Sequence, residues 1–227
     1  MYKELRNKIK HSEKIVFDFR GIFFYTLYVI YNKLHVFTFN RLIHFICYCK
    51  GVKLGHNVVF CGRPIIHRYP NSSIYLGDNC KFNSAKNSIS IGLNQPCAFV
   101  TLGEKAKIVL GNNTGGSGLR IQARSSITIG NNVLLGSGCT ILDNDSHHSD
   151  PHKREQNIIP ARPITIEDNV FIGLQCVILK GVTIGKNSTI GAHSVVFNDI
   201  PENCIAWGNP CKVVMRINCF SFSQQSN

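Results

Sequence analysis

Ile166-Glu-Asp-Asn-Val-Phe-Ile172-Gly-Leu-Gln-Cys-Val-Ile178-Leu-Lys-Gly-Val-Thr-Ile184-Gly-Lys-Asn-Ser-Thr-Ile190-Gly-Ala-His-Ser-Val-Val196 carries an aliphatic side chain at every sixth residue. Gly follows it in three hexads (Gly173, Gly185, Gly191), and four residues after it comes a small side chain: Val170, Cys176, Val182, Ser188, Ser194. Helical apolar faces recur at three or four residues, so no α-helix explains this period. An ordinary strand explains only the alternation within each hexad. The pattern reads as a solenoid in which each hexad is one short strand and a tight corner. The aliphatic and the small residue then both point inward.

The same frame recurs upstream. Leu54-Gly55 leads to Val58, Leu76-Gly77 to Cys80, Leu102-Gly103 to Ala106, Leu110-Gly111 to Thr114, Ile129-Gly130 to Val133 and Leu135-Gly136 to Cys139. Self-similarity at a fixed period sets the architecture ahead of any local signal. This pattern resembles the hexapeptide-repeat acyltransferases, whose fold is a left-handed parallel β-helix with three hexads per coil. The resemblance supplies the handedness; periodicity alone does not. Gly after the aliphatic suits a corner that needs either positive φ or close backbone approach.

Three segments follow: a basic, aromatic-rich helical segment over 1–53, the β-helix over 54–215, and a flexible tail over 216–227. Arg63–Pro70 interrupts the frame and reads as a loop or bulged coil, Asn112–Gly118 as a flexible corner, and Val213–Ile217 as a short helix. The chain holds 25 Lys and Arg against 13 Asp and Glu, and residues 1–53 hold ten of the former against three of the latter. That bias fits an anionic surface, and without any RNA-binding signature or recognition-helix motif nucleic acid is not expected. The apolar run Gly21–Tyr31 is shorter than the ~20 residues that span a bilayer, and no small-residue cleavage site follows it. Two helices, about 13–32 and 38–49, are expected instead. They would cap the first coil, lie on a membrane as a peripheral contact through residues 1–50, or do both.

Cys80, Cys139 and Cys176 occupy the small inward position and read as compact buried hydrophobes. No CxxC pair occurs. Reduced thiols, a cytoplasmic location and no metal are expected.

Residues 142–163 interrupt the repeat with a polar stretch, Leu142-Asp-Asn-Asp-Ser-His-His-Ser-Asp-Pro-His-Lys-Arg154 and onward to Pro163. Loops ejected from a rigid scaffold are where binding and chemistry concentrate. Acyl transfer from a thioester to a hydroxyl needs a base, donors for the oxyanion and a positioned pair of substrates. Asp143-Asn-Asp145-Ser-His147-His148 offers an imidazole with carboxylates nearby; His147 is the expected general base, and Asp145 or Asp143 would orient it.

Ser146–Arg154 is similar to the T-H-P-L-D-P-x-x-R loop of maltose and galactoside acetyltransferases. There His147 falls on the catalytic histidine, and Asp150, Pro151 and Arg154 on the remainder. Asp143-x-Asp145-x-His147 looks like the D-x-D-x-H of polysaccharide O-acetyltransferases. Pro163–Gly173 matches P-I-x-I-G-x-N-V-W-I-G, except that Glu167 replaces Gly and Phe171 the cleft-lining Trp. Leu174 stands where some members carry Ser, so an oxyanion donor there would be backbone N–H. Gly191–Val196 resembles G-A-G-S-V-V, which implies that Ala192 meets the pantetheine arm beside Gly173 and Leu174. Gly208-Asn-Pro210-Cys-Lys212 resembles G-x-P-A-K, which implies that Lys212 approaches the phosphates of coenzyme A; by charge, Arg216 and Lys180 would join it there. Arg154, Phe171 and His148 would contact the acceptor.

The resemblance implies an acetyl-CoA-dependent O-acetyltransferase acting on a saccharide hydroxyl, and the basic, aromatic N-terminus points to a cell-surface polysaccharide or its precursor as the acceptor. The resemblance also implies a homotrimer with active sites between subunits. N-acyl transfer to a nucleotide-linked amino sugar is the alternative, and a γ-carbonic-anhydrase-like zinc protein a remoter one.

Overall fold

The computed structural model describes residues 18–89, 92–148, 150–154 and 160–217. From Lys53 to Val196 the chain winds as a left-handed parallel β-helix of six complete coils among the described residues. Each coil contributes one strand to each of three faces. The first face stacks Lys53–Leu54, Ser73–Leu76, Lys107–Leu110, Ser126–Ile129, Ile164–Ile166 and Thr183–Ile184. The second stacks Val59–Cys61, Lys81–Asn83, Gly115–Ser117, Leu134–Leu135, Phe171–Ile172, Thr189–Ile190 and Cys204–Gly208. The third runs from Ile65–His67 through Ala98–Thr101, Arg120–Ala123, Thr140–Leu142 and Val177–Ile178 to Val195–Val196.

Register is residue on residue: Ile129 pairs with Ile166, Ile166 with Ile184, Ile141 with Ile178, and Ile178 with Val196. The aliphatics of the hexads therefore form continuous buried columns. Phe60, Phe82 and Phe99 fill the early coils, with ring centroids 5.5 and 5.1 Å apart. Cys80, Cys139 and Cys176 are buried and free, as the repeat frame predicts. A hydrogen bond to Cys176, then burial, pushes the Cys139 thiol up.

The corner chemistry divides differently from the expectation. Gly136 and Gly173 follow their aliphatics at ordinary φ and are required by close approach. A Cβ on Gly136 would lie 2.5 Å from the carbonyl carbon of Gly173, and one on Gly173 2.5 Å from the Ala192 nitrogen. Positive φ falls to asparagine two residues later on the edge between the first and second faces. Asn57, Asn79, Asn113, Asn132, Asn169, Asn187 and Asn203 all sit between 55 and 59°. Asparagine tolerates this region because its short amide bonds locally. Here the amides also bond vertically, Asn113 to Asn132 to Asn169 to Asn187 to Asn203, each Nδ2 donating to the next Oδ1 at 2.9–3.1 Å.

Four further expectations change. Ile65–His67 is a regular strand, so the frame continues through Arg63–Pro70. Leu102 is only half-buried, because Thr101 takes the inward position one residue earlier. Gly115–Ser117 is a strand of the second face rather than part of a loose corner. The C-terminal segment is a strand, Cys211–Arg216, antiparallel to Cys204–Gly208. Gly208, at φ 109°, permits the reversal, and Val213 and Val214 suit the extended backbone. Most of the expected tail, residues 218–227, lies outside the described residues.

The N-terminal segment holds one helix, α1 (Phe19–Cys49), in place of two; residues 13–17 of the expected first helix lie outside the described residues. Lys33–Phe37 contains neither Pro nor Gly to break it. Asp18 caps the start, its Oδ1 accepting the Gly21 N–H at 2.8 Å. Gly51 ends it at φ 68°, with Gly51 N–H on Tyr48 O and Val52 N–H on Cys47 O, a Schellman closure. The last third of α1 caps the first coil: Ile43 and Cys47 join the core, and Asn40 accepts the Phe60 N–H while donating to Val58 O. Burial pushes the Cys47 thiol up to about 11, against the pull of Lys50. Of the described residues, 18–38 form a separate unit.

Asn187→Ala should destabilise the chain by about 1–3 kcal/mol, since it removes two ladder bonds and places a Cβ-bearing residue without an amide at positive φ. Asn187→Gly should cost less, because it keeps the backbone conformation. Urea unfolding of the two variants checks the order.

Candidate active site

The extruded loop leaves the solenoid after Thr140–Leu142, on the edge between the third and first faces, and returns at Ile164. Its neck is a short antiparallel pair. Asn144 bridges Ala161, Arg162 N–H donates to Asp143 O at 2.9 Å, and Asp145 N–H to Pro160 O at 3.3 Å.

Both predicted orienting carboxylates are engaged in this neck. Asp143 is fully buried and accepts the backbone N–H groups of Arg124 and Ser125, each at 2.7 Å, and Asn144 Nδ2 at 3.1 Å. Arg124 and Ser125 lie on the preceding coil, so Asp143 ties the loop downward. Asp145 pairs with Lys180 Nζ of the following coil, which ties it upward. Neither carboxylate bonds to an imidazole among the described residues.

Beyond the neck, Ser146 takes φ 62° and turns the chain outward. His147 is exposed, and its backbone N–H donates to Asp145 O at 2.6 Å. The His148 ring serves the loop itself: its Nδ1 accepts the Asp150 N–H at 3.0 Å, which puts the proton of the neutral ring on Nε2. Arg154 folds back so that Nε donates to His148 O at 2.9 Å. A short helix, α2 (Pro151–Arg154), is capped by Asp150, whose Oδ1 accepts the His152 N–H. Of the two imidazoles, His147 is the one that no loop hydrogen bond among the described residues engages.

The predicted donor residues gather on a different edge, between the second and third faces. Gly173 lies against Ala192, and His193 N–H donates to Leu174 O at 2.8 Å. Trp207 sits over Gly191, and Lys212 pairs with Trp207 on the closing hairpin, next to Pro210. Arg216 is brought elsewhere: it pairs with Cys204 at the far end of that strand. Phe171 is 43 % exposed on the second face. Beside the Gly173 corner runs a cleft of about 420 Å³ lined by Leu93, Gln95, Arg120, Ser137, Thr140 and Leu174. Leu93 and Gln95 belong to an excursion in the second coil, whose position follows from folding rather than from the hexad count. Lys180, expected by charge at the coenzyme A phosphates, lies on the loop edge instead: pairing Ile141 with Ile178 sets it two residues past the rung, level with Asp143.

The chain matches the hexapeptide repeat described for succinyl-transferases over residues 126–141 and 163–197. It is similar to the galactoside O-acetyltransferase of Lactococcus lactis, 42% identical over 98 residues covering 43% of this chain and 47% of the relative. It is also similar to the galactoside O-acetyltransferase of Escherichia coli, 45% identical over 95 residues covering 41% of this chain and 45% of the relative. The chain thus spans about half the length of the curated relatives it matches. The fold is that of an N-acyltransferase from Bacillus cereus solved with dTDP and 3-hydroxybutyryl-CoA. That likeness has a TM-score of 0.57 at 17% identity and covers 74% of this chain and 85% of the other.

Asp143→Asn should loosen the neck by about 1–3 kcal/mol, because an amide offers one acceptor to two converging N–H groups. Limited trypsinolysis should then cut faster after Lys153 or Arg154, read by mass spectrometry against the parent chain.

Proposed function

We propose that this hexapeptide-repeat protein is a coenzyme A-dependent acyltransferase that moves an acetyl group from acetyl-CoA to a sugar hydroxyl, with His147 as general base. The observation that carries this reading is the exposed His147, held just beyond a neck that two carboxylates tie to two coils. It is supported by the likeness to galactoside O-acetyltransferases.

In the reaction, His147 removes the hydroxyl proton as the oxygen attacks the thioester carbonyl carbon. The C–S bond then breaks, and the imidazolium returns the proton to the departing thiolate, leaving ester and free coenzyme A with no covalent enzyme intermediate. Backbone N–H groups at the Gly173–Leu174 corner hold the oxyanion, the corner beside Ala192 receives the pantetheine arm, and Lys212 with Pro210 receives the phosphates. Arg216 lies at the far end of the closing strand from Lys212 and is left out of this donor site. Asp143 and Asp145 act through the loop backbone. Arg154 and His148 shape the acceptor side, where Phe171 offers an apolar surface.

His147 and the Gly173 corner stand on different edges of one prism. Three copies packed side by side bring the loop of one against the corner of the next, which favours a homotrimer with shared sites.

The acceptor is a cell-surface polysaccharide or its precursor, met at the cytoplasmic face of the membrane through residues 1–50. In α1, Phe19, Phe24 and Tyr25 are each more than 65 % exposed, and no described helix is long and apolar enough to cross a bilayer. An apolar helix in a basic segment suits the headgroup boundary of an anionic membrane.

With acetyl-CoA and a panel of galactosides, oligosaccharides and nucleotide sugars, free thiol should be released with a hydroxyl acceptor. Release only with amino sugars would establish N-acyl transfer instead. His147→Ala should lower turnover about 10²–10⁴-fold with acetyl-CoA affinity kept. Lys212→Ala should instead weaken donor binding and leave the chemical step largely intact.

The full chain should sediment with vesicles containing phosphatidylglycerol and much less with neutral ones. Replacing Phe23 and Phe24 by Glu should abolish the binding.

A further inference from the structure

A base carried on a loop keeps its place only as well as the neck of that loop does. We propose that Lys180 is a positioning residue for the transfer reaction, acting through its ion pair with Asp145 to hold His147; this rests on His147 being the base.

The connection is short. The Asp145 side chain meets Lys180 Nζ, while the Asp145 carbonyl accepts the His147 N–H at 2.6 Å. One residue therefore joins the following coil to the backbone of the base, and a displacement of Asp145 passes to His147 without an intermediary. Lys180 is also placed to serve both strands of the neck. Its side chain holds the outgoing strand, and its neighbour Gly181 donates an N–H to Arg162 O on the returning strand at 3.1 Å. Asp143, bound to Arg124 and Ser125, anchors the same neck to the coil below. The outgoing strand is thus fixed from two sides, and removing the Lys180 charge releases one of them.

A role for Lys180 at coenzyme A phosphates fits less well. Its charge is already matched by Asp145, and it lies on the loop edge rather than on the edge of Gly173, Ala192 and Lys212. The pair is partly open, with side-chain exposures of 21 and 39 %. A pair in that setting adds little to global stability. Its effect should appear in turnover, because small misplacements of a reacting group are costly.

The test uses the full chain with Lys180→Met, Asp145→Asn, the two combined, and the exchanged pair Lys180→Asp with Asp145→Lys. Turnover is measured with acetyl-CoA and the acceptor found in the panel, and amide hydrogen exchange is followed over residues 143–148. Each single variant should lower kcat about 10-fold, with KM for acetyl-CoA unchanged. The combined variant should be no worse than either single one, and the exchanged pair should recover activity, since the two residues act as a unit. Amides of Asp145 and His147 should exchange faster in the single variants, while the unfolding midpoint stays in place. A raised KM for acetyl-CoA in Lys180→Met but not in Asp145→Asn would assign Lys180 to the donor and overturn the proposal. So would unchanged exchange at Asp145 and His147. If His147→Ala retains full turnover, the reading of the base fails, and the exchange measurement still reports separately on the neck.

Discussion

Vertical stacking of coils at the strand spacing of about 4.8 Å is the constraint on which everything else in this molecule depends. At that distance each residue rests on its counterpart one coil away, so every position becomes a column. Columns of Ile and Val exclude water from the axis. A column of glycines exists because Cβ atoms there would meet the next coil's backbone at 2.5 Å. Beside the asparagine ladder runs a second one, in which Asp78, Asn112, Asn131 and Asp168 each accept a backbone N–H from the preceding coil at 2.7–2.8 Å. Stability in such an array is close to a sum of nearest-neighbour terms. The ends need capping, which the last third of α1 and the closing hairpin supply.

The three edges of the prism carry different tasks. The first-to-second edge is structural, held by amide ladders. The second-to-third edge brings coils into close approach, with the buried Gly173 against the exposed Ala192 and a cleft beside the half-buried Leu174, and it is the edge where the proposed donor site falls. The third-to-first edge is interrupted once, by the loop that carries His147. Separating these tasks lets one edge be cut open without disturbing the other two. The cost of the interruption is a gap between the strands ending at Leu142 and starting at Ile164, and the buried Asp143 closes it by accepting two N–H groups of the coil below.

The aspartates of the D-x-D-x-H stretch therefore have a backbone role. In a dyad, a carboxylate fixes an imidazole's tautomer by direct contact. Here the two carboxylates hold the peptide segment from which the imidazole projects. The same residue types at the same spacing serve either arrangement, because what separates them is which groups the neighbouring coils bring within reach.

By itself the sequence determined the parallel β-helix, its limits near Leu54 and Val196, the inward cysteines and the extruded loop, since a six-residue period is a local property that survives any packing. By motif it also nominates His147 and the Gly173, Ala192 and Lys212 positions as candidates for the proposed site. Tertiary structure alone decided the rest. The helix α1 is continuous because nothing breaks it, while the closing segment is a strand because Cys204–Gly208 offers an edge to pair with. Asparagine rather than glycine takes the left-handed corners of the first-to-second edge, a choice visible only once the amides are seen to bond from coil to coil. The Lys180–Asp145 pair joins residues 35 positions apart in the chain and adjacent in space, because one coil of the solenoid and one loop separate them along the backbone and a single strand spacing separates them in the stack.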